Sequence, residues 1–184
     1  MKKLIGILLI GILAFSLCSC SLEYGFSNEK TVDGVRYFFS KQRKICFAAD
    51  YAWNETDEAV TIRIPDEVEA YKVVALGGFV GRGVPVPFGI SLPDAEAAGD
   101  VDCLEEGTVI KKIPVTIQLG KNVKRIDCVD MDLFLQTEDG TYIFLAEFEA
   151  DDENPYFKAD ENGKLTYSKY SSDRIDKFLY KTDE

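Results

Sequence analysis

The chain has 184 residues, 46% of them hydrophobic, and carries 21 Lys and Arg against 32 Asp and Glu, for a formal net charge of −11. That length is enough to bury one core as a single domain, and the acidic balance argues against nucleic acid as a partner, because phosphate binding needs a basic footprint. The sequence contains no histidine, which excludes His-based nucleophilic triads and His-containing zinc sites.

The N-terminus reads as an export signal. Lys2 and Lys3 precede an apolar run from Leu4 to Leu17, which then meets Cys18, Ser19 and Cys20. The run is shorter than the roughly 20 apolar residues of a spanning helix, and a basic start with a short core before small residues fits a signal peptide. Leu17-Cys18-Ser19-Cys20 resembles the bacterial lipoprotein box. The resemblance implies residues 1–19 as the signal peptide, Cys20 as the lipidated residue, and a membrane held through that lipid alone. Cleavage without lipidation is the alternative. Processing before Cys20 leaves 165 residues and moves the net charge to −13.

Cys46, Cys103 and Cys128 then remain, so at most one disulfide can form within the chain. Cys46 lies between Ile45 and Phe47, and Cys128 follows Ile126 by two. Both read as small core residues, with a Cys103 to Cys128 bridge or a reactive thiol as alternatives. No pair has CxxC spacing, so neither a metal site nor a cofactor is expected.

Residues 20–30 are polar and read as a tether, leaving 31–184 as the domain. Asp33-Gly34 before Val35 to Phe39 predicts a hairpin into a first strand, and Lys44 to Ala48 is a second short strand. Asp50 to Glu58 is an acidic turn holding Trp53, the single tryptophan. Tyr51 and Trp53 could stack on a sugar ring as a carbohydrate site, or the indole could cover the edge of the core.

Val60, Ile62 and Ile64 alternate with Thr61 and Arg63, which predicts a strand with one apolar face. The pattern returns in Val115, Ile117 and Leu119, alternating with Thr116 and Gln118. The offset is 55 residues throughout, and it also relates Val68 to Val123. Pro65-Asp66 ends the first copy, and Tyr71 to Leu76 forms another strand before Gly77-Gly78-Phe79. The glycines at 77, 78, 81 and 83 do not make a phosphate cradle, because Val84-Pro85-Val86-Pro87 follows and prevents the helix such a loop must open. Residues 81–107 read instead as a long loop insertion and a first candidate for a binding element.

This succession of strand, Pro-Asp turn, valine, apolar pair and Gly-x-Phe resembles the BspA-like leucine-rich repeats of bacterial surface proteins, with units of the form V-x-I-P-x-x-V-x-x-I-G-x-x-A-F. Val60, Ile62 or Ile64, Pro65, Val68, Leu76, Gly77 and Phe79 fill those positions here. The second copy departs from the pattern, with Gly120 in place of the proline and Asp127 in place of the glycine.

Tyr142, Phe144, Ala146 and Phe148 predict a further strand. Asp151 to Lys169 resembles the hairpin that interrupts such repeats, on Asn154, Pro155, Tyr156, Phe157, Asn162, Gly163, Leu165, Tyr167 and Lys169. Its acidic residues Asp151, Asp152, Glu153, Asp160 and Glu161 lack the alternating ligands of a calcium loop. Ser172 to Lys181 favours a short cap helix over a last strand.

The expected fold is mainly β. The resemblance implies a short right-handed leucine-rich-repeat-like solenoid of two or three degenerate units, with a β-hairpin insertion and small capping elements. It further implies a lipid-anchored, extracytoplasmic protein-interaction module of adhesion type, probing an extracellular or envelope protein. Thr61, Arg63, Thr116 and Gln118 would form part of the exposed binding face, with the 81–107 segment beside them. A carbohydrate-binding surface lipoprotein that takes a glycan, and an envelope-structural lipoprotein without a host ligand, are the alternatives. No enzyme is expected. Asp57, Glu58, Asp66 and Glu67 could in principle pair for glycoside hydrolysis, but carboxylates at turns are usually just solvated.

Overall fold

In the computed structural model the described residues are 25–159, apart from 82 and 132, together with 165–167. The signal peptide, Cys20, the Asn162-Gly163 turn and the C-terminal cap helix therefore lie outside the described residues. The first strands are β1 (Asn28–Val32), β2 (Val35–Ser40) and β3 (Ile45–Ala52), followed by β4 (Val60–Ile64), β5 (Glu67–Val68), β6 (Tyr71–Leu76) and β7 (Gly78–Val80). Next come β8 (Val84–Val86), β9 (Phe88–Ser91), β10 (Ala97–Asp100), a single 3-10 turn at Val101–Cys103 and β11 (Ile110–Leu119). The chain continues through β12 (Arg125–Ile126), β13 (Val129–Asp130), β14 (Leu133–Thr137), β15 (Gly140–Ala150), β16 (Phe157–Ala159) and β17 (Leu165–Tyr167). The architecture is mainly β, with several open sheets and no α-helix among the described residues.

Two sheets enclose the main core. The first runs β1-β2-β3-β6-β12, with β9 also against β3, β13 against β9, and β5 against β6. The second runs β10-β14-β15-β11-β4. The predicted hairpin at Asp33-Gly34 is present, with Val32 opposite Val35 and φ of 50° and 79° at the two turn residues. That pair of positive values is what a type I′ turn requires and why Asp-Gly occupies it.

The repeat noticed in the sequence is a register in space. β4 and β11 pair in parallel with Val60 opposite Val115, Thr61 opposite Thr116, Ile62 opposite Ile117, Arg63 opposite Gln118 and Ile64 opposite Leu119. The inward side chains of both strands are buried, each contributing about 1.5–3 kcal/mol over exposure. On its other side β11 pairs in parallel with β15, which sets Ala146, Phe148 and Ala150 beside Val115, Ile117 and Leu119. A third rung therefore completes the ladder.

Past the turn the correspondence of 55 ends. In the first sheet Leu76 pairs with Ile126 and Ala75 with Arg125, an offset of 50. The difference is the β5–β6 hairpin of the first unit, where Glu69 and Ala70 turn the chain with φ of 50° and 65°. Val68 is consequently not the ladder partner of Val123, although both are buried. Asp127 stands where Gly77 does and does not adopt its left-handed conformation, φ 62° at Gly77. A Cβ at Gly77 would collide with the Cys128 carbonyl, so the first unit's turn needs glycine for space as well as for φ.

The first sheet is covered on both faces. Cys46 and Ala48 point into the main core, while Phe47 and Ala49 point outward into a satellite cluster with Phe26 and Ala75. Phe26 meets Phe47 edge-on with ring centroids 5.0 Å apart, and Val80 and Val86 of the β7–β8 hairpin pack on the same cluster. Burial on both faces is why Ile45 to Ala49 is apolar without alternation.

Two expectations about segments are corrected. The tether does not extend through residue 30, because Phe26 is buried and Asn28–Val32 is a strand paired to β2. Residues 81–107 are no free loop: β9 sits between β3 and β13 with Phe88 and Ile90 buried, and β10 closes the second sheet against β14. Its prolines lie at Pro85 within the edge hairpin and at Pro87 and Pro93 outside strands, where no ladder hydrogen bond is lost. None of Cys46, Cys103 and Cys128 is in a disulfide, so the Cys103 to Cys128 bridge is absent.

Candidate functional site

Alternation along three parallel rungs puts every second side chain on the outer face of the second sheet. Thr61, Thr116 and Glu147 form one row across β4, β11 and β15, and Arg63, Gln118 and Glu149 form the next. The second row is hydrogen-bonded from end to end. Arg63 Nε donates to Gln118 Oε1 at 3.1 Å, and Gln118 Nε2 donates to Glu149 Oε2 at 3.0 Å. The guanidinium at one end and the carboxylate at the other are thus bridged by an amide that accepts from the first and donates to the second, which links three long polar side chains across the rungs. Thr61, Arg63, Glu147 and Glu149 are exposed, while the middle-rung Thr116 and Gln118 are half-buried by their neighbours.

The row opens into a shallow groove of about 520 Å³ at the C-terminal ends of the rungs, lined by Arg63, Pro65, Asp66, Gln118, Glu149 and Asp152 among others. Its floor is a stack of three chain turns. Gly120 N donates to Ile64 O at 2.8 Å and Asp151 N to Leu119 O at 2.9 Å, so each turn hangs from the one before. Gly120 replaces the expected proline for a steric reason: a Cβ there would lie 2.7 Å from the Ile64 carbonyl oxygen and 2.8 Å from Asp66 Oδ1.

Side chains lock the stack. Asp66 Oδ1 accepts from Lys121 N at 2.7 Å, and the Lys121 ammonium lies 3.3 Å from Asp66 and 3.4 Å from Glu153. The hydrogen bond to Asp66, then the charges of Asp66 and Glu153, raise the Lys121 pKa above its ordinary value. Asn154 is 2% exposed and uses its whole amide. Its Nδ2 donates to the carbonyls of Gly120 at 2.8 Å and Val123 at 2.9 Å, and its Oδ1 accepts from the amides of Tyr156 at 2.8 Å and Phe157 at 3.0 Å.

The four residues expected on a protein-binding face, Thr61, Arg63, Thr116 and Gln118, are thus brought together as adjacent pairs on one side of one sheet. The 81–107 segment is not beside them, because its strand β10 forms the opposite edge of the sheet from β4. The carbohydrate alternative at Tyr51 and Trp53 is corrected. Trp53 is 3% exposed and packs edge-on against Tyr142 and Phe144, with centroids 4.8 and 5.2 Å away. A ring enclosed in this way has no face left for a sugar, and Tyr51 is half-buried against Gly34. Of the carboxylates considered for hydrolysis, Asp66 is committed to Lys121. Among the described residues no three acidic or cysteine side chains gather as a metal group.

Glu147 and Glu149 were not foreseen as members of the site. The available signal was the spacing of 31 between Val115–Leu119 and Ala146–Ala150, obscured by alanine at two of the three inward positions. Comparison with known protein families, curated proteins and solved structures returns no match.

Proposed function

We propose that the chain is a lipid-anchored, extracytoplasmic protein-interaction module of adhesion type, built as a short right-handed stack of degenerate BspA-like repeats and held to its membrane through Cys20. The observation that carries this reading is the outer face of β4, β11 and β15, where Thr61, Thr116 and Glu147 lie beside the hydrogen-bonded row of Arg63, Gln118 and Glu149. Stacked parallel rungs offer a continuous, rigid polar surface suited to protein contact, and side chains ordered before binding reduce the entropy a partner must overcome. The partner is an extracellular or envelope protein.

The test is capture by immobilised protein from Ser21 to Glu184, offered bacterial envelope extract and extracellular host proteins, beside an Arg63→Glu, Gln118→Arg double variant. Both substitutions are on the solvent face, so the variant keeps the wild-type circular dichroism. The expected outcome is saturable capture that weakens about tenfold or more in the variant, equivalent to ~1.4 kcal/mol. Equal capture by both forms would place the binding surface elsewhere. No partner from either source would favour a purely envelope-structural lipoprotein.

A further inference from the structure

The surface opposite the rungs carries a second feature. Between Lys72 and Asp94 the sequence holds a single charged residue, Arg82, and no acidic one, in a chain of which 29% is charged. This stretch contains the β7–β8 hairpin, in which Val80 faces Val84 and Phe79 faces Pro85. Val80 and Val86 seat the hairpin on the outer face of the first sheet, in the cluster that also buries Phe26. Phe79 remains 38% exposed and Val84 60% exposed, on opposite faces of the hairpin either side of its turn, and they are two of the four large apolar side chains exposed among the described residues.

The position of the hairpin identifies what covers it. Phe26 packs under the hairpin and lies six residues after Cys20, which spans at most about 20 Å even when fully extended. We infer that the β7–β8 hairpin is a membrane-contacting element that dips Phe79 and Val84 into the lipid interface beside the anchor. This inference rests on the lipid-anchor reading above. Charge is compatible with the same orientation: an acidic protein is repelled by anionic headgroups, and the hairpin itself carries no carboxylate, the exposed Glu29 lying on the same sheet face beside Phe38. An aromatic ring and a branched aliphatic at a turn are suited to the interfacial zone. A domain seated this way turns the outer face of β4, β11 and β15, on the other sheet, away from the membrane.

The experiment places Phe79→Trp in two forms of the protein on vesicles of phosphatidylethanolamine and phosphatidylglycerol containing lipids brominated along the acyl chain. One form is the exported, processed protein. The other runs from Ser21 and is tethered by an N-terminal histidine tag to a nickel-chelating lipid. Thr61→Trp on the opposite face is the control, and Trp53 supplies a constant buried background. The expected result is a blue shift and bromine quenching at position 79 in both forms, none at position 61, and loss of that quenching on adding Val84→Asp. Unquenched emission at position 79 in the tethered form overturns the inference, and points to water or a protein partner at the hairpin. Quenching in the tethered form together with an unacylated Cys20 in the exported protein overturns the anchor and leaves the hairpin's affinity standing.

Discussion

Cys46 and Tyr37 lie on neighbouring strands of the first sheet, both fully inside the main core. Burial pushes the Cys46 thiol up from 9.0 to about 12, and burial, aided by the nearby Cys46 and Asp33, raises the Tyr37 phenol well above its usual value. The fold thus holds both groups neutral where an unfolded chain would ionise them. For groups raised in the folded state, the stability is intact below the unfolded pKa and declines as pH climbs towards the folded one. The contribution of these two groups is constant up to about pH 9, and above it stability should fall by up to ~1.4 kcal/mol per pH unit for each group titrating only in the unfolded chain. Urea midpoints measured across that range check this, and a Cys46→Ala variant should show a shallower alkaline decline whatever its neutral stability. A decline unchanged in slope would contradict the assignment to Cys46. The core role of Cys46 was legible because Ile45 and Phe47 flank it. For Trp53 the sequence left two readings, a sugar platform and a cover for the core's edge, and what decides for the core is the pair of rings over it, Tyr142 and Phe144, which come from β15.

At the scale of elements, Asn154 ties the turn stack together through four side-chain hydrogen bonds. Replacing Asn154 with Ala leaves the part-buried carbonyl of Gly120, the buried carbonyl of Val123, and the amides of Tyr156 and Phe157 without this partner. Each unsatisfied buried group costs about 1–3 kcal/mol, and local relaxation recovers part of it. Asn154→Ala should therefore lower stability by about 2–4 kcal/mol in urea unfolding, and Asn154→Asp should not restore it, since a carboxylate cannot donate to the two carbonyls. A loss below about 1 kcal/mol would mean the stack is held elsewhere. The first two rungs could be read from sequence because both write the same inward and outward code in five consecutive positions. The third could not, because Ala146 and Ala150 fill inward positions and Asp151 replaces the turn residue. β9 and β10 were hidden for a different reason: their partners β3, β13 and β14 are set by long-range pairing, which neither local propensity nor proline content reports. Asn28–Val32 was missed because its residues are polar on both faces, leaving no alternation to detect.

For the whole molecule, the two sheets divide the surface into unlike sides. The first sheet is covered on its outside by Phe26 and an acid-free hairpin, and the second presents ordered polar rows ending in a groove. This asymmetry was only half visible beforehand. The sequence carried the outward-facing residues Thr61, Arg63, Thr116 and Gln118, proposed for the binding face, through their repeat, but the side on which each insertion would pack is a property of tertiary pairing. The central claim is that a protein partner meets the outer face of β4, β11 and β15. The most direct measurement is photo-crosslinking on intact cells, with a benzophenone side chain at Thr61 and, as control, at the exposed Lys72 on the first sheet. The account predicts a discrete protein adduct from position 61 and none from position 72. An adduct from position 72 alone, or from neither position, would contradict it.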